Sequence, residues 1–282
     1  MTIAIEDLIK CPDDIPALPF YVSKILEAIN DPEAGIDDIA NLISKDIGLT
    51  TKVLKLVNSP YFGLPAKVTT ISHSLNIIGL RPIGSLVLAS TLMSEFKEIP
   101  ENYVTMESFW SHSIASGIAA KEICKIKRLK NGESLYIAGI IHDIGSLVIY
   151  KKYPEKAKEI LTQCNEYGKN LIDIEHESLG FDHAQLGAAM IEKWNLPKLI
   201  QETTEFHHQP LNAPTYKKET AIVNLADYII HSNQLGSSGE LRGSDLNKDI
   251  LKLLELSMDD LALVSEITIQ NFDEIYKALK NT

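Results

Sequence analysis

Seven ionisable side chains stand at positions that a folded chain would bury, and all are of types that bind metal ions. His112 lies in "FWSHSIASGIAAKEI", and the adjacent pair His142–Asp143 interrupts the apolar run "AGIIHDIGSLVI". His183 opens "HAQLGAAMIEKW", His207–His208 stand just before Pro210, and Asp227 is the one charge in "AIVNLADYII". Burying such groups without a partner is costly, and it is tolerated mainly when they are paired, hydrogen-bonded or bound to metal. Imidazole with carboxylate is a ligand set for zinc, iron, manganese or nickel. A metal-free buried polar network remains the alternative reading. His73, His176 and His231 are read as ordinary histidines on loops or polar faces.

The elements that must position these residues read as helices. Ile36, Ile39, Ala40 and Ile43 recur at helical spacing, and "TTKVLKLVNS" continues with Val53, Leu54 and Val57. "SPYFGLP" breaks the pattern. Pro82 fits the first turn of the next helix, where its missing N–H costs nothing. In the helix of His112, Trp110, Ile114 and Ile118 mark one buried face, with His112 beside small residues. His142 and Asp143 are placed inside the next helix, which is apolar on nearly all sides and therefore buried on most. Ala138, Gly139 and Gly145 there allow another helix or a ligand to approach closely. Asp182 is the expected N-cap of the helix that His183 opens. His207–His208 close a helix that starts at Pro197. No alternating run demands a sheet, so the fold class is all-α.

Composition narrows the function. At 282 residues, 45% hydrophobic and 23% charged, the chain has the make-up of an ordinary globular protein. No stretch approaches about 20 uninterrupted apolar residues, and the N-terminus lacks a signal peptide's basic and apolar regions. The expectation is a cytoplasmic protein with no membrane partner. A formal charge of −11 argues against nucleic acid as a partner. Cys11, Cys124 and Cys164 form neither a disulfide framework nor a CxxC motif, and read as reduced, partly buried thiols. Lys125, Lys127, Arg128 and Lys130 read as a solvated helix end. A polar seam at residues 95–105 and a Gly/Ser-rich, flexible loop at 231–245 divide the chain. The expected layout is an N-terminal helical bundle (1–100) packed on a helical core (105–232), then C-terminal helices (245–282) docked through Leu254, Met258, Leu261, Val264 and Ile275.

The order His, His-Asp, His, His-His, Asp resembles the HD superfamily of metal-dependent phosphohydrolases. Over residues 10 to 230 the likeness narrows to the HDOD family, the HD-related output domain of bacterial signalling. It is carried by "IPALPFYVSKILEAINDPEAGIDDIANLISKDIGLTTKVLKLVNSPYFG", "SLNIIGLRPIGSLVLAS" and "HAQLGAAMIEKWNLP". By analogy with the HD-GYP branch, the resemblance implies one metal on His112, His142, Asp143 and Asp227. A second would be held by His183, His207 and His208, with Asp143 bridging. Two such ions clamp a phosphoryl group and activate water.

The sequence also departs from that branch. Ser146 stands where a lysine follows "HDIG", no glycine-tyrosine-proline motif follows His207–His208, and Ser108 replaces an acidic residue one turn before His112. The ligands are kept while the parts that would handle a cyclic dinucleotide are missing. The leading expectation is therefore a bacterial cytoplasmic signalling protein. It would hold one or two divalent transition-metal ions, iron ahead of manganese, zinc or nickel. It would relay signals through contacts with signalling proteins in trans, since no receiver, kinase or DNA-binding segment is fused to it, or take up a small phosphorylated ligand. The alternative is a phosphohydrolase or phosphodiesterase acting on a nucleotide or cyclic dinucleotide, in which Asp143 would be catalytic. A di-iron redox or oxygen sensor would use the same ligands.

Overall fold

The computed structural model describes residues 4–10, 18–31, 33–59, 62–96, 99, 104–240, 243 and 245–280. Every regular element among them is helical, so the protein is all-α. Two compact units form: residues 1–17 with 96–268, and residues 18–95 with 269–282. Chain order gives α1 (Ile5–Lys10), α2 (Phe20–Asn30), α3 (Ile36–Ser44), α4 (Ile47–Val57), α5 (Ile71–Ile78) and α6 (Leu80–Glu95). There follow α7 (Met106–Ile126), α8 (Gly132–Ile141), α9 (Ile144–Lys152), α10 (Pro154–Tyr167) and α11 (Leu171–Leu179). The chain ends with α12 (His183–Lys193), α13 (Lys198–Phe206), α14 (Lys217–Ser232), α15 (Lys248–Leu254) and α16 (Met258–Lys280).

The unit of α2 to α6 is built as its periodicity dictates. Ile39, Ala40 and Ile43 of α3 are buried, and α4 buries Val53, Leu56 and Val57 while Leu54 is half-buried. Asp46 caps α4 by accepting from the Leu49 N–H at 2.8 Å, and this cap separates α3 from α4. Asn58 closes the irregular stretch that follows: its side chain exchanges two 2.7 Å hydrogen bonds with the Val68 backbone. Pro82 stands in the first turn of α6, as its chemistry requires.

The other unit holds α7 at its centre, and α7 is buried on almost every side from Phe109 to Cys124. The single buried face read from Trp110, Ile114 and Ile118 is therefore too narrow. Helices α8 and α14 lie against α7, and α12 lies against α9 and α13. Two glycine contacts set these crossings. A Cβ on Gly139 would sit 2.7 Å from the Gly117 Cα of α7, and one on Gly145 would sit 2.1 Å from the His183 carbonyl oxygen of α12. Only hydrogen fits at either place, so backbones meet directly around the histidines. Helix α1 joins this unit beside α12, where Lys193 Nζ donates to the Ile9 carbonyl at 2.6 Å.

Three expectations need correction. The His142–Asp143 pair is not inside a helix; it is the joint between α8 and α9. The 231–245 stretch carries no helix beyond Ser232 among its described residues, but residues 237–239 are held by hydrogen bonds. Ser108 and Ser237 bond each other, Tyr150 Oη donates to the Ser238 carbonyl at 2.7 Å, and Asn165 donates to the Gly239 carbonyl at 2.8 Å. Met258 is exposed at the start of α16, whereas Leu254, Leu261, Val264 and Ile275 are buried as expected.

Residues 132–152 are long and apolar enough on average to cross a membrane, yet 78% of that window is buried inside the protein, and the chain breaks within it at His142–Asp143. Cys124 and Cys164 are free, buried thiols, and Cys11 lies outside the described residues.

Candidate metal centre

The last carbonyls of a helix lack intrahelical donors. His142, at the end of α8, supplies one with its own ring: Nδ1 donates to the Gly139 carbonyl at 2.8 Å. His207 does the same at the end of α13, donating to the Thr204 carbonyl at 2.7 Å. A carbonyl oxygen can only accept, so both rings keep a proton on Nδ1, and Nε2 is the nitrogen each can offer to a metal. His183 is fixed likewise. Its Nδ1 is 2.7 Å from Oε2 of buried Glu175, which also accepts from the His183 N–H at 3.0 Å. Asp182 caps α12 in a reciprocal pair with Gln185, which sets the position of His183 at the helix start.

All three Nε2 atoms face Asp143. Its Oδ2 lies 3.0 Å from His142 Nε2 and 3.5 Å from His112 Nε2. Its Oδ1 lies 3.3 Å from His183 Nε2 and 3.4 Å from His207 Nε2. The carboxylate is thus divided, one oxygen to each set of histidines. His208 joins the second set, with Nε2 2.9 Å from that of His183. Asp227 joins the first, with Oδ1 3.0 Å from His112 Nε2 and 3.6 Å from His142 Nε2. Asn224, one turn before Asp227 on α14, donates to the His207 carbonyl at 2.8 Å and ties the two helices together. The seven residues singled out in the sequence therefore converge. All are buried except His208, which is half-buried.

The donor set fits a metal ion. His207 Nε2 and Asp227 Oδ1 are buried and have no hydrogen-bond partner, although acceptors and donors lie within 3.0–3.6 Å of them. Nε2 atoms also face each other, at 3.4 Å between His112 and His142. Buried ligand atoms that converge in this way are the arrangement expected around a shared cation, and second-sphere acceptors on Nδ1 are what metal-binding imidazoles use. One group of ligand atoms within 4.8 Å of one another comprises Asp143, His183, His207 and His208; another comprises His112, His142 and Asp143.

Burial alone would raise the Asp143 and Asp227 carboxyls. Neighbouring imidazoles reverse this, chiefly His142 for Asp143 and His231 for Asp227, and hold both well below the usual carboxylate range. Burial likewise would lower His142, but Asp143 and Asp227 carry it up to about 10. His183 is raised well above its ordinary value against burial, by Glu175 and then Asp143. His208 falls well below it, through burial and the flanking His207 and His183 rings.

Sequence reasoning missed two residues here. Glu175 had no signal, because it reaches His183 only through the turn between α11 and α12. His231 was set aside, yet its Nε2 is 3.4 Å from Asp227 Oδ1. The other two histidines fit their assignment: His73 is exposed, and His176 pairs with Asp182 at 3.0 Å. Ser108 ties α7 to the loop at Ser237, and Ser146 is buried.

An all-α unit with histidines and aspartates gathered from four helices and one helix joint is an HD-type arrangement. Residues 15–210 match the HDOD domain, and the chain belongs to the HDOD family. It is 29% identical over 267 residues to a protein of uncharacterised role from Treponema pallidum, matching 92% of this chain. The chain spans half the length of that relative. Among solved structures it is similar to an HDOD domain protein of unknown function from Geobacter sulfurreducens. That match has a TM-score of 0.78 at 23% identity and covers 98% of each chain. It is also similar to a protein from Shewanella amazonensis named as a candidate phosphohydrolase. There the TM-score is 0.79 at 24% identity, covering 99% of this chain and 98% of the other. At these identities the structural likeness shows the fold.

Proposed function

We propose that this chain is a cytoplasmic bacterial signalling module with a mono- or dinuclear transition-metal centre, relaying its state through contacts with signalling proteins in trans. The observation that carries the metal part of the reading is the division of Asp143, whose two oxygens face two separate sets of imidazoles. His112, His142 and Asp227 would hold one ion with Oδ2, and His183, His207 and His208 a second with Oδ1. Iron leads manganese, zinc and nickel as the occupant, since mixed imidazole and carboxylate donors suit it.

The same division supports a second reading, a phosphohydrolase acting on a nucleotide or cyclic dinucleotide. A bound divalent ion would supply Lewis-acid polarisation and a more acidic water. Turnover of a phosphodiester also benefits from a fixed cation beside the developing charge. Among the described residues no lysine or arginine forms an ion pair with Asp143 or Asp227, and the uncharged Ser146 supplies no cation. Lys125 is exposed and pairs with Glu122, while Lys127 reaches Glu255. The signalling reading is therefore the stronger.

Elemental analysis of untagged protein purified without chelators tests the centre. Wild type should carry transition metal and Asp143→Ala should lose most of it. Wild type that stays metal-free after reconstitution with iron, manganese or zinc would leave a buried polar network and no centre. Robust hydrolysis of a cyclic dinucleotide by metal-replete protein, abolished by Asp143→Ala, would favour the enzyme instead.

A further inference from the structure

His231 lies one helical turn after Asp227 on α14, so the two side chains leave the same face. Its Nε2 is 3.4 Å from Asp227 Oδ1, the same oxygen that lies 3.0 Å from His112 Nε2. The His112 and His231 rings have centroids 4.8 Å apart. One ligand atom from each of His112, Asp227 and His231 lies within 4.8 Å of the other two. Metal–ligand bonds of about 2.0–2.1 Å place adjacent ligand atoms about 3.0–3.4 Å apart, and both contacts of Asp227 Oδ1 fall there.

An ordinary ion pair between residues one turn apart does not account for this. Asp227 Oδ1 is buried and accepts no hydrogen bond, so His231 approaches it without donating to it. The ring is also confined: its side chain is 8% exposed, and a Cβ on Gly243 would come within 2.7 Å of it. A histidine free to turn to water would not be hemmed in this way.

We propose that His231 is a further metal ligand, acting with His112 and Asp227. This rests on the metal centre proposed above and enlarges its first set of donors. With His142 and Asp143 Oδ2 the first set then offers three imidazoles and two carboxylates, donor types that suit iron(II). The His112 side would then be richer in ligands than tetrahedral zinc requires.

The test loads metal-free wild type, His231→Ala, His231→Gln and His73→Ala with cobalt(II). Visible absorption and competition against a chelator are recorded, with circular dichroism to check the fold. Glutamine can still donate a hydrogen bond toward Asp227 but supplies no imidazole nitrogen. Both His231 variants should bind cobalt at least about tenfold more weakly and with an altered visible spectrum, while His73→Ala matches wild type. If His231→Gln keeps the wild-type spectrum and affinity, His231 is a structural partner of Asp227 and the proposal is overturned, even where His231→Ala fails to fold. Wild type that takes up no cobalt overturns the metal centre itself, a result distinct from a loaded wild type and an equally loaded variant.

Discussion

Glu175 and His183 are joined twice: one carboxylate oxygen of Glu175 accepts from both the backbone N–H and the ring Nδ1 of His183. The first bond fixes the start of α12, and the second fixes which ring nitrogen faces Asp143. Glu175→Gln preserves the size of the side chain but removes its charge. Metal affinity on the His183 side should fall about 10- to 100-fold, the usual cost of removing an outer-sphere partner. Chelator competition would measure it, and a Glu175→Gln protein that competes as wild type does would show that Glu175 only braces the helix.

The packing around the centre gives a second expectation. A Cβ at residue 145 would press on the backbone of His183 and Gly187, which cannot retreat as a flexible side chain could. Gly145→Ala should therefore destabilise the protein by about 1–3 kcal/mol or more, the range for overpacking. It should also lower metal occupancy, because Asp143 immediately precedes α9 and α12 carries His183. Ala substitution at Gly168, where an added Cβ meets nothing within 4 Å, separates this from glycine loss in general: only its left-handed backbone (φ 67°) is strained, so metal content should not change. Thermal melts together with metal analysis of both variants would decide the matter.

The all-α class and the seven converging residues were legible because helical periodicity and buried charge leave direct marks on the sequence. The break at His142–Asp143 was not. An apolar run reads as one helix, and only the folded chain shows the His142 ring turned back onto the Gly139 carbonyl, three residues earlier, where α8 ends. Glu175 was illegible for the same reason, as its partner lies across a turn. His231 had a readable mark, the four-residue spacing from Asp227, which a single polar residue near a Gly/Ser-rich loop did not suggest. That loop looked flexible by composition, yet Gly236 and Gly239 are there for close packing: a Cβ on either would strike Ser108 or Tyr150.

Thiol chemistry offers a test away from the cage. Burial, then Glu219, pushes the Cys124 thiol up to about 12, and burial, then Glu240, does the same for Cys164. Raised acid values favour the folded state while both thiols are neutral, and that contribution is lost as pH rises from the ordinary thiol value near 9 towards 12. In a Cys11→Ser background, native protein at pH 8 should react with a thiol reagent only on the timescale of unfolding. Fast labelling of Cys124 or Cys164 would contradict their burial.

The pH dependence of the centre should reverse when metal is added. In metal-free protein, His142 has its value raised from 6.5 to about 10, so its contribution to stability is complete below 6.5 and fades as pH rises through 10. Asp143 and Asp227 are lowered, so theirs is present above the ordinary value of 3.8 and is lost in stronger acid. These three groups thus favour folding most between about pH 4 and 6.5 and less toward pH 10. Metal ligation needs an unprotonated Nε2, so binding at pH 7 must expel the His142 proton, and affinity must grow with pH up to about 10. The rise in melting temperature on adding metal should accordingly increase from pH 6 to pH 9, while the metal-free protein melts progressively lower. Proton release into weakly buffered solution on adding zinc or iron(II) at pH 7 provides an independent readout. A metal-induced stabilisation that stays flat or shrinks over that range would mean that the added ion binds elsewhere than at His142.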